Sequence, residues 1–228
     1  MRSGPAFAAA VILTTVLGSI HAFSVFVIPV EITLGAGRDA VSLVYGIALA
    51  SLTVGVLVGP RLWQVASPPV VAATAFVLAA AGSALAAVPA LPALYLGYGG
   101  MFGFAVGSGY GFALVIVNHA LSGRRGMATG VVTAVFALGA MAASFLFREA
   151  IALWSYQAAL LGAAGFFLFC AVAVAVLLVR SGLTIAWPAR QTGPAPKSAA
   201  TPGFFCLWLG FGSGSMAGLM ALGHAAAV

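Results

Sequence analysis

Residues 97–130 combine a glycine-rich apolar run, a very short basic turn and the start of another apolar run. Each glycine costs a helix in water about 1 kcal/mol relative to alanine. In a bilayer, small residues four positions apart let another helix approach closely. The stretch therefore predicts two membrane helices joined by a tight turn. The glycines that form a ridge on the first helix, here called the glycine ladder, are Gly99, Gly103, Gly107 and Gly111.

The composition of the whole chain is that of a polytopic membrane protein. Of its 228 residues, 63% are hydrophobic and only 5% are charged, whereas about a quarter of the residues in soluble domains are charged. We interpret the net charge of +6 as the basic bias that orients membrane proteins, not as a nucleic-acid-binding surface. The first apolar run, Pro5 to Val30, is longer than a signal-peptide core and favours an uncleaved first span.

Charges, prolines and glycines divide the chain into seven apolar runs, each close to the ~20 residues that cross a bilayer. The predicted fold is therefore an all-α integral membrane protein with seven transmembrane helices. We expect residues 1–180 to form a six-helix bundle, 181–202 a cytoplasmic linker, and 203–228 the first helix of an incomplete second bundle. The predicted spans, numbered 1 to 7, are Phe7–Val30, Ala40–Gly59, Val70–Val88, Leu94–Ala120, Met127–Phe147, Ser155–Val179 and Gly203–Ala225.

The charges between these spans segregate by side. With a cytoplasmic N-terminus, the inner segments carry cations and no acid, namely Arg2, Arg61, Arg124, Arg125, Arg180, Arg190 and Lys197. The outer segments carry Glu31, Arg38, Asp39, Arg148 and Glu149. Because cytoplasmic loops are enriched in Lys and Arg, this bias predicts a multi-pass protein of the inner or plasma membrane with its N-terminus inside.

A short repeat relates spans 1 and 4. Residues 18–23 read GSIHAF and residues 107–112 read GSGYGF, so Tyr110 takes the place that His21 holds. Span 7 restarts the pattern with GSGS at residues 212–215. Spans 1 and 4 are three helices apart and enter the membrane from opposite sides. Such a relation is typical of the 3+3 inverted repeats of secondary transporters.

Several of these motifs resemble the major facilitator superfamily, in the branch of the oxalate/formate antiporters and monocarboxylate transporters. They are the Phe-Ser-Val-Phe of residues 23–26 with Pro29, the glycine ladder, and the Arg-Arg-Gly-Met-Ala-Thr-Gly of residues 124–130. Gly-Leu-Met at residues 218–220 also fits. The resemblance extends over the whole chain, which would correspond to the N-terminal half of such a transporter plus the first helix of its C-terminal half.

This resemblance implies secondary active transport of a small carboxylate-type anion by alternating access, with a proton or a counter-anion as coupling partner. A chain with one bundle is expected to act as a partial or truncated transporter that needs the missing C-terminal bundle or another chain. A non-transporting membrane scaffold or modulator is the alternative. It is favoured by Trp63 and Gln64, which stand where the superfamily's helix 2–3 loop carries an Asp and an Arg.

The resemblance also implies that spans 1, 4 and 7 line the substrate path. We expect His21 and Tyr110 to face it near the midplane, since ionisable residues inside a membrane are often functional. His21 has two alternative roles, a packing residue bonded across helices or a haem ligand in a redox carrier. The weaker substrate-binding candidates are Ser19, Phe23, Ser108 and Ser215.

The inner basic residues have two interpretations. Arg124 and Arg125 are predicted to set the topology and to contact lipid headgroups, or to act in gating with Asn118 as a partner. Arg61 is expected to substitute in part for the superfamily's missing loop cation.

No enzyme chemistry is expected. All three acids lie at the predicted outer surface, and the histidines have no partners at metal-ligand spacing. Cys170 and Cys206 lie in apolar runs and are interpreted as buried thiols. We therefore expect neither a metal nor a cofactor.

Overall fold

The computed structural model of the protein describes residues 3–185, 201–206, 209–210 and 212–214. Within these residues the chain is helical apart from short connections, and no β-strand occurs. This confirms the all-α prediction for the described part of the chain. Six helices there are long and apolar enough to cross a membrane: α1 (Ser3–Leu34), α2 (Arg38–Val65), α3 (Pro68–Ala86), α4 (Leu91–Ala120), α5 (Arg125–Leu153) and α6 (Tyr156–Ser181).

These helices correspond to the first six predicted spans and belong to one compact unit, Met1–Ile185. Most of them extend past the predicted limits. α5, for example, continues beyond Phe147 through Arg148 and Glu149 to Leu153. The extension arises because helical hydrogen bonding continues into the polar interface, while apolarity marks only the hydrocarbon core. The seventh predicted span lies largely outside the described residues, although residues 202–206 are helical.

Local sequence signals explain several helix ends. Gly35 and Gly182 end α1 and α6 in the left-handed conformation, with φ of 59° and 62°, which glycine adopts without a steric penalty. Pro68 lies in the first turn of α3, where its missing N–H costs no helical bond. Ser155 caps α6 by accepting a 3.1 Å hydrogen bond from the Ala158 amide.

α1 and α4 both depart from α-helical geometry inside the membrane span. α1 passes through a 3-10 segment, Gly18–Phe26. α4 has a π-helical segment, Tyr95–Phe102, after a first α-helical turn, Leu91–Leu94. The two segments are joined where the Tyr98 hydroxyl donates a 2.8 Å hydrogen bond to the Ile20 carbonyl. Mid-helix segments of this kind frequently mark functional sites.

α1 and α4 form the centre of the bundle and pack against each other. α1 also packs on α5 and α6, while α4 packs on α2 and α3, and α3 and α6 pack together behind this pair. α2 and α5 scarcely contact each other, so they flank an open face of α1 and α4. They are also the least buried: 22% and 17% of their most apolar windows are inside the protein, against 50% and 61% for α1 and α4.

The glycine ladder packs on α2, which confirms its prediction as a helix-packing surface. A methyl group added at Gly103 would collide with the backbone of Ala48, and one at Gly107 with the carbonyl of Leu52. At the end of the ladder, a methyl group on Gly111 would lie 2.9 Å from the indole of Trp63. The missing side chains thus allow α4 and α2 to meet backbone to backbone.

The α1–α5 contact repeats the α4–α2 contact residue by residue. Gly18 lies against the carbonyl of Phe136 and Gly139 against that of Thr15. In the other pair, Gly107 lies against the carbonyl of Leu52 and Gly55 against that of Phe104. The residues of α4 follow their equivalents in α1 by 89 positions: Gly107 follows Gly18, and Phe104 follows Thr15. The residues of α5 follow their equivalents in α2 by 84 positions: Phe136 follows Leu52, and Gly139 follows Gly55.

Candidate functional site

His21 lies in the 3-10 segment of α1, on the face that α2 and α5 flank. Its Nδ1 is 2.6 Å from the hydroxyl oxygen of Tyr45 in α2. In an apolar surrounding an imidazole or a hydroxyl without a partner is costly, so each satisfies the other. The bond explains how a half-buried histidine is accommodated inside a membrane span.

Phe136 of α5 packs against both leading candidates, His21 and Tyr110. Its ring centroid is 5.3 Å from that of His21, which meets it edge-on, and 4.9 Å from that of Tyr110. The Tyr110 hydroxyl is 3.3 Å from Oγ1 of Thr133, whose own hydrogen is donated to the Thr129 carbonyl. The structure therefore brings His21 and Tyr110 into contact with one aromatic ring on the open face.

Phe23 and Ser19 lie deeper than His21. Phe23 is 2% exposed and packs on Tyr98 at 4.8 Å and parallel to Tyr45 at 6.1 Å. Ser19 is 6% exposed, and its Oγ has no hydrogen-bond partner. In this conformation both side chains support the site from behind and neither lines the open face.

The remaining serine candidates are not brought to His21. Ser108 is two residues from Tyr110, which places it about 200° around the helix, and its hydroxyl donates to the Ala105 carbonyl at 3.2 Å. It lines a crevice between α2, α3 and α4. Ser215 lies outside the described residues.

The site is polar but carries no fixed charge. Among the described residues the one salt bridge is Arg38–Glu31 at 3.0 Å, at the opening of α2, and no group of three metal-ligating side chains forms. Cys170 is buried as expected, whereas Cys206 is exposed, so the prediction of a buried thiol is wrong there. The His21–Tyr45 pair keeps one donor free for an anion, the His21 Nε2–H or the Tyr45 O–H depending on the histidine tautomer, while the Tyr110 hydroxyl donates to Thr133.

The residues predicted to gate or orient the protein lie at the end of the bundle that holds the α2–α3 and α4–α5 connections. Arg61, Arg124 and Arg125 are exposed there. Asn118 donates a 2.8 Å hydrogen bond to the Leu114 carbonyl of its own helix.

Trp63, which the resemblance sets in the place of the superfamily's loop acid, is 5% exposed. Its ring packs 5.5 Å from that of Phe112. A methyl group on Gly59 would lie only 2.6 Å from the indole. The end of α2 is thus attached to α4 by a packed aromatic side chain.

Sequence reasoning missed Tyr45, Tyr98 and Phe136. A signal existed for the two tyrosines, because a hydroxyl in an apolar span must find a partner, and few partners occur in such spans. Phe136 carried no signal, since an aromatic residue in a membrane helix usually faces lipid or a neighbouring helix.

A scan against protein families finds no model that matches the chain, and a search of curated proteins finds no match either. The class of the protein therefore follows from its fold alone. Within the described residues, six apolar helices connected by short turns define a multi-pass helical membrane protein.

Proposed function

We propose that the chain is the first six-helix bundle of a major facilitator-type secondary transporter for a small carboxylate-type anion. In this mechanism two bundles rock about a site near the midplane, which opens alternately to each side. The second bundle would come from the missing C-terminal half or from another chain, and the seventh predicted span would begin it.

The equivalent glycine contacts are the observation that carries this proposal. In the pairs Gly18–Phe136 and Gly107–Leu52, the two glycines are 89 residues apart and the two carbonyl residues are 84 apart. The reciprocal contacts of Gly139 and Gly55 give the same two shifts. Because α1 and α4 are three helices apart, the two halves run in opposite directions, which supports a 3+3 inverted repeat.

The open face supports the same reading. α2 and α5 occupy equivalent places in the two halves and are the least buried helices. A second bundle that packed against them would enclose the face carrying His21 and Tyr110. The site would then lie between bundles, as transporter sites do.

The chemistry of the site suits a small anion. The His21–Tyr45 pair keeps one donor free, and the Tyr110 hydroxyl can turn its hydrogen from Thr133 to a bound anion. Both His21 and Tyr110 pack against Phe136. Carboxylate specificity itself derives from the resemblance of the glycine ladder and residues 124–130 to the oxalate/formate and monocarboxylate branch. A proton or a counter-anion would be the coupling partner.

A membrane scaffold or modulator derived from a half-transporter is the second candidate. Burial of Trp63 between Gly59 and Gly111 favours it. An ion pair at this position could break and re-form during a transport cycle, whereas a packed indole holds α2 on α4 permanently. The scaffold would keep the bundle's fold without its gating movement.

Two measurements test the proposal. Proteoliposomes that hold the chain together with a C-terminal bundle are assayed for uptake of labelled formate and oxalate. The same anions are tested for stabilisation of the purified chain against thermal unfolding, since a ligand at 100 times its Kd adds about 2.7 kcal/mol. Uptake, or saturable stabilisation by one of the anions, supports the transporter. The absence of both contradicts it and leaves the scaffold.

A further inference from the structure

A crevice opens between α2 and α3, with α4 as its floor. Its volume is about 270 Å³. α2 and α3 scarcely contact each other because each packs on α4 instead. The crevice therefore lies at the periphery of the bundle, where a membrane-spanning protein meets lipid.

The lining of the crevice is mainly apolar, and the hydrogens of its hydroxyl groups are already donated within the protein. Its walls are formed mainly by Leu62, Trp63, Val71, Leu78 and Phe104.

Two lining residues, Thr74 and Ser108, carry hydroxyls. Both hydroxyl hydrogens are already donated to backbone carbonyls of the same helix. Thr74 donates to Val70 at 2.8 Å and Ser108 to Ala105 at 3.2 Å. A polar ligand would lose its hydration there and gain little in return, so the crevice favours a hydrocarbon occupant.

The crevice follows one leaflet. From Val71 to Leu78 it covers eight residues of α3, which are seven helical rises of ~1.5 Å or about 10 Å. The hydrocarbon of one leaflet is roughly 15 Å deep. One end of the crevice reaches Ala66 in the connection between α2 and α3, which places this end near the headgroups. An acyl chain entering from the headgroup region would have this position and direction.

A basic residue, Arg61, adjoins the end of the crevice that lies near the headgroups. Arg61 is exposed, one residue before Leu62 of the crevice wall. It belongs to no salt bridge among the described residues, whose single ion pair is Arg38–Glu31. A basic side chain near a membrane surface strengthens attraction to anionic lipid about fivefold.

From these features we propose that the crevice binds an acyl chain of an anionic phospholipid, with the phosphate held by Arg61. The lipid belongs to the leaflet bordering the α2–α3 connection, which the charge bias predicts to be cytoplasmic. This site is independent of the anion path at His21. Its occupant fills the gap that α2 and α3 leave and so supports the end of α2.

Trp63 provides a direct probe, because its indole lines the crevice. In a variant with Trp63 as the sole tryptophan (Trp154, Trp187 and Trp208→Phe), lipids brominated on their acyl chains quench its fluorescence on contact. The full-length chain is placed in nanodiscs containing brominated phosphatidylglycerol or brominated phosphatidylcholine, each over the same series of fractions. The matched control keeps Trp154 alone, which is 73% exposed at the opposite end of α5.

The site predicts half-maximal quenching of Trp63 at about fivefold lower phosphatidylglycerol than phosphatidylcholine, and no such preference at Trp154. Arg61→Gln should abolish the preference, while Arg180→Gln, at another exposed helix end on the same side, should retain it.

Thr74→Phe should block the crevice and reduce quenching of Trp63 by both lipids. Thr53→Phe is its control, because Thr53 is also exposed and bonded to its own helix. Equal quenching by the two lipids, or a preference that survives Arg61→Gln, overturns the headgroup assignment. The acyl-chain site is overturned if Thr74→Phe leaves the quenching of Trp63 unchanged. It is also overturned if neither lipid quenches Trp63.

Discussion

The carbonyl of Leu52 in α2 lies directly against Gly107 in α4, leaving no room for a side chain on the glycine. The equivalent carbonyl of Phe136 in α5 lies against Gly18 in α1. Two helices that meet this closely gain dispersion contacts along their backbones, which drive helix association where lipid removes the hydrophobic effect. The bundle is therefore organised by two copies of one glycine contact.

Substituting the glycine of either contact should lower the free energy of unfolding of the bundle by a similar amount. Gly18→Ala and Gly107→Ala would each force backbones apart, and overpacking of this kind costs about 1–3 kcal/mol. The control is Gly162→Ala in α6, where a methyl group meets nothing within 4 Å. Unfolding in detergent should show comparable losses for the first two and no loss for the control. A large effect at only one of the two would contradict the equivalence.

The bond between His21 and Tyr45 should be measurable as a coupling energy. Hydrogen bonds between membrane helices contribute about 0.6 kcal/mol on average and up to ~1.7. At 2.6 Å this one should lie toward the upper value in a double-mutant cycle of His21→Ala and Tyr45→Phe. The pair Tyr110→Phe and Thr133→Val, 3.3 Å apart and exposed, should couple more weakly. A coupling near zero for His21 and Tyr45 would show that the bond does not hold α1 to α2.

Trp63 should be a major stabilising residue at its end of the bundle. Removing a buried aromatic side chain typically costs about 3–5 kcal/mol, so Trp63→Ala should lower the unfolding midpoint strongly. Trp154→Ala, at a position 73% exposed, should change the free energy of unfolding by no more than about 0.5 kcal/mol. Similar small effects of both substitutions would refute the packing role of Trp63.

The charge bias predicts which connections face the cytoplasm. With Cys170 and Cys206 replaced by Ser, Gly123→Cys in the α4–α5 turn should resist a membrane-impermeant thiol reagent in intact cells and react after permeabilisation. Trp154→Cys in the α5–α6 connection should react in intact cells. The reverse pattern would place the N-terminus outside.

Hydropathy and charge alone were sufficient to predict the six described helices, because each must bury about 20 apolar residues in hydrocarbon. Their ends were predicted less well. α2 continues past Gly59 to Val65, since its last turns lie in the interface, where apolarity no longer reports on helical structure. The 3-10 segment of α1 and the π segment of α4 depend on packing between helices, which no local pattern encodes.

For the site, the repeat between residues 18–23 and 107–112 selected His21 and Tyr110 but not their partners. A hydrogen bond such as His21–Tyr45 depends on how two helices rotate against each other. The sequence period fixes which residues share a face of one helix, yet not which faces meet. The equivalence of Gly55 and Gly139 was likewise hidden, because the residues around them do not repeat.

The most direct test of the proposed transport site compares uptake by site variants in a context that supports transport of formate or oxalate. His21→Ala and Tyr110→Phe should each reduce uptake at least tenfold, which corresponds to about 1.4 kcal/mol. Tyr95→Phe, whose hydroxyl bonds to the Ala40 carbonyl away from the site, should keep most of it. Uptake at the unsubstituted level in both His21→Ala and Tyr110→Phe would contradict the assignment of the open face as the anion path.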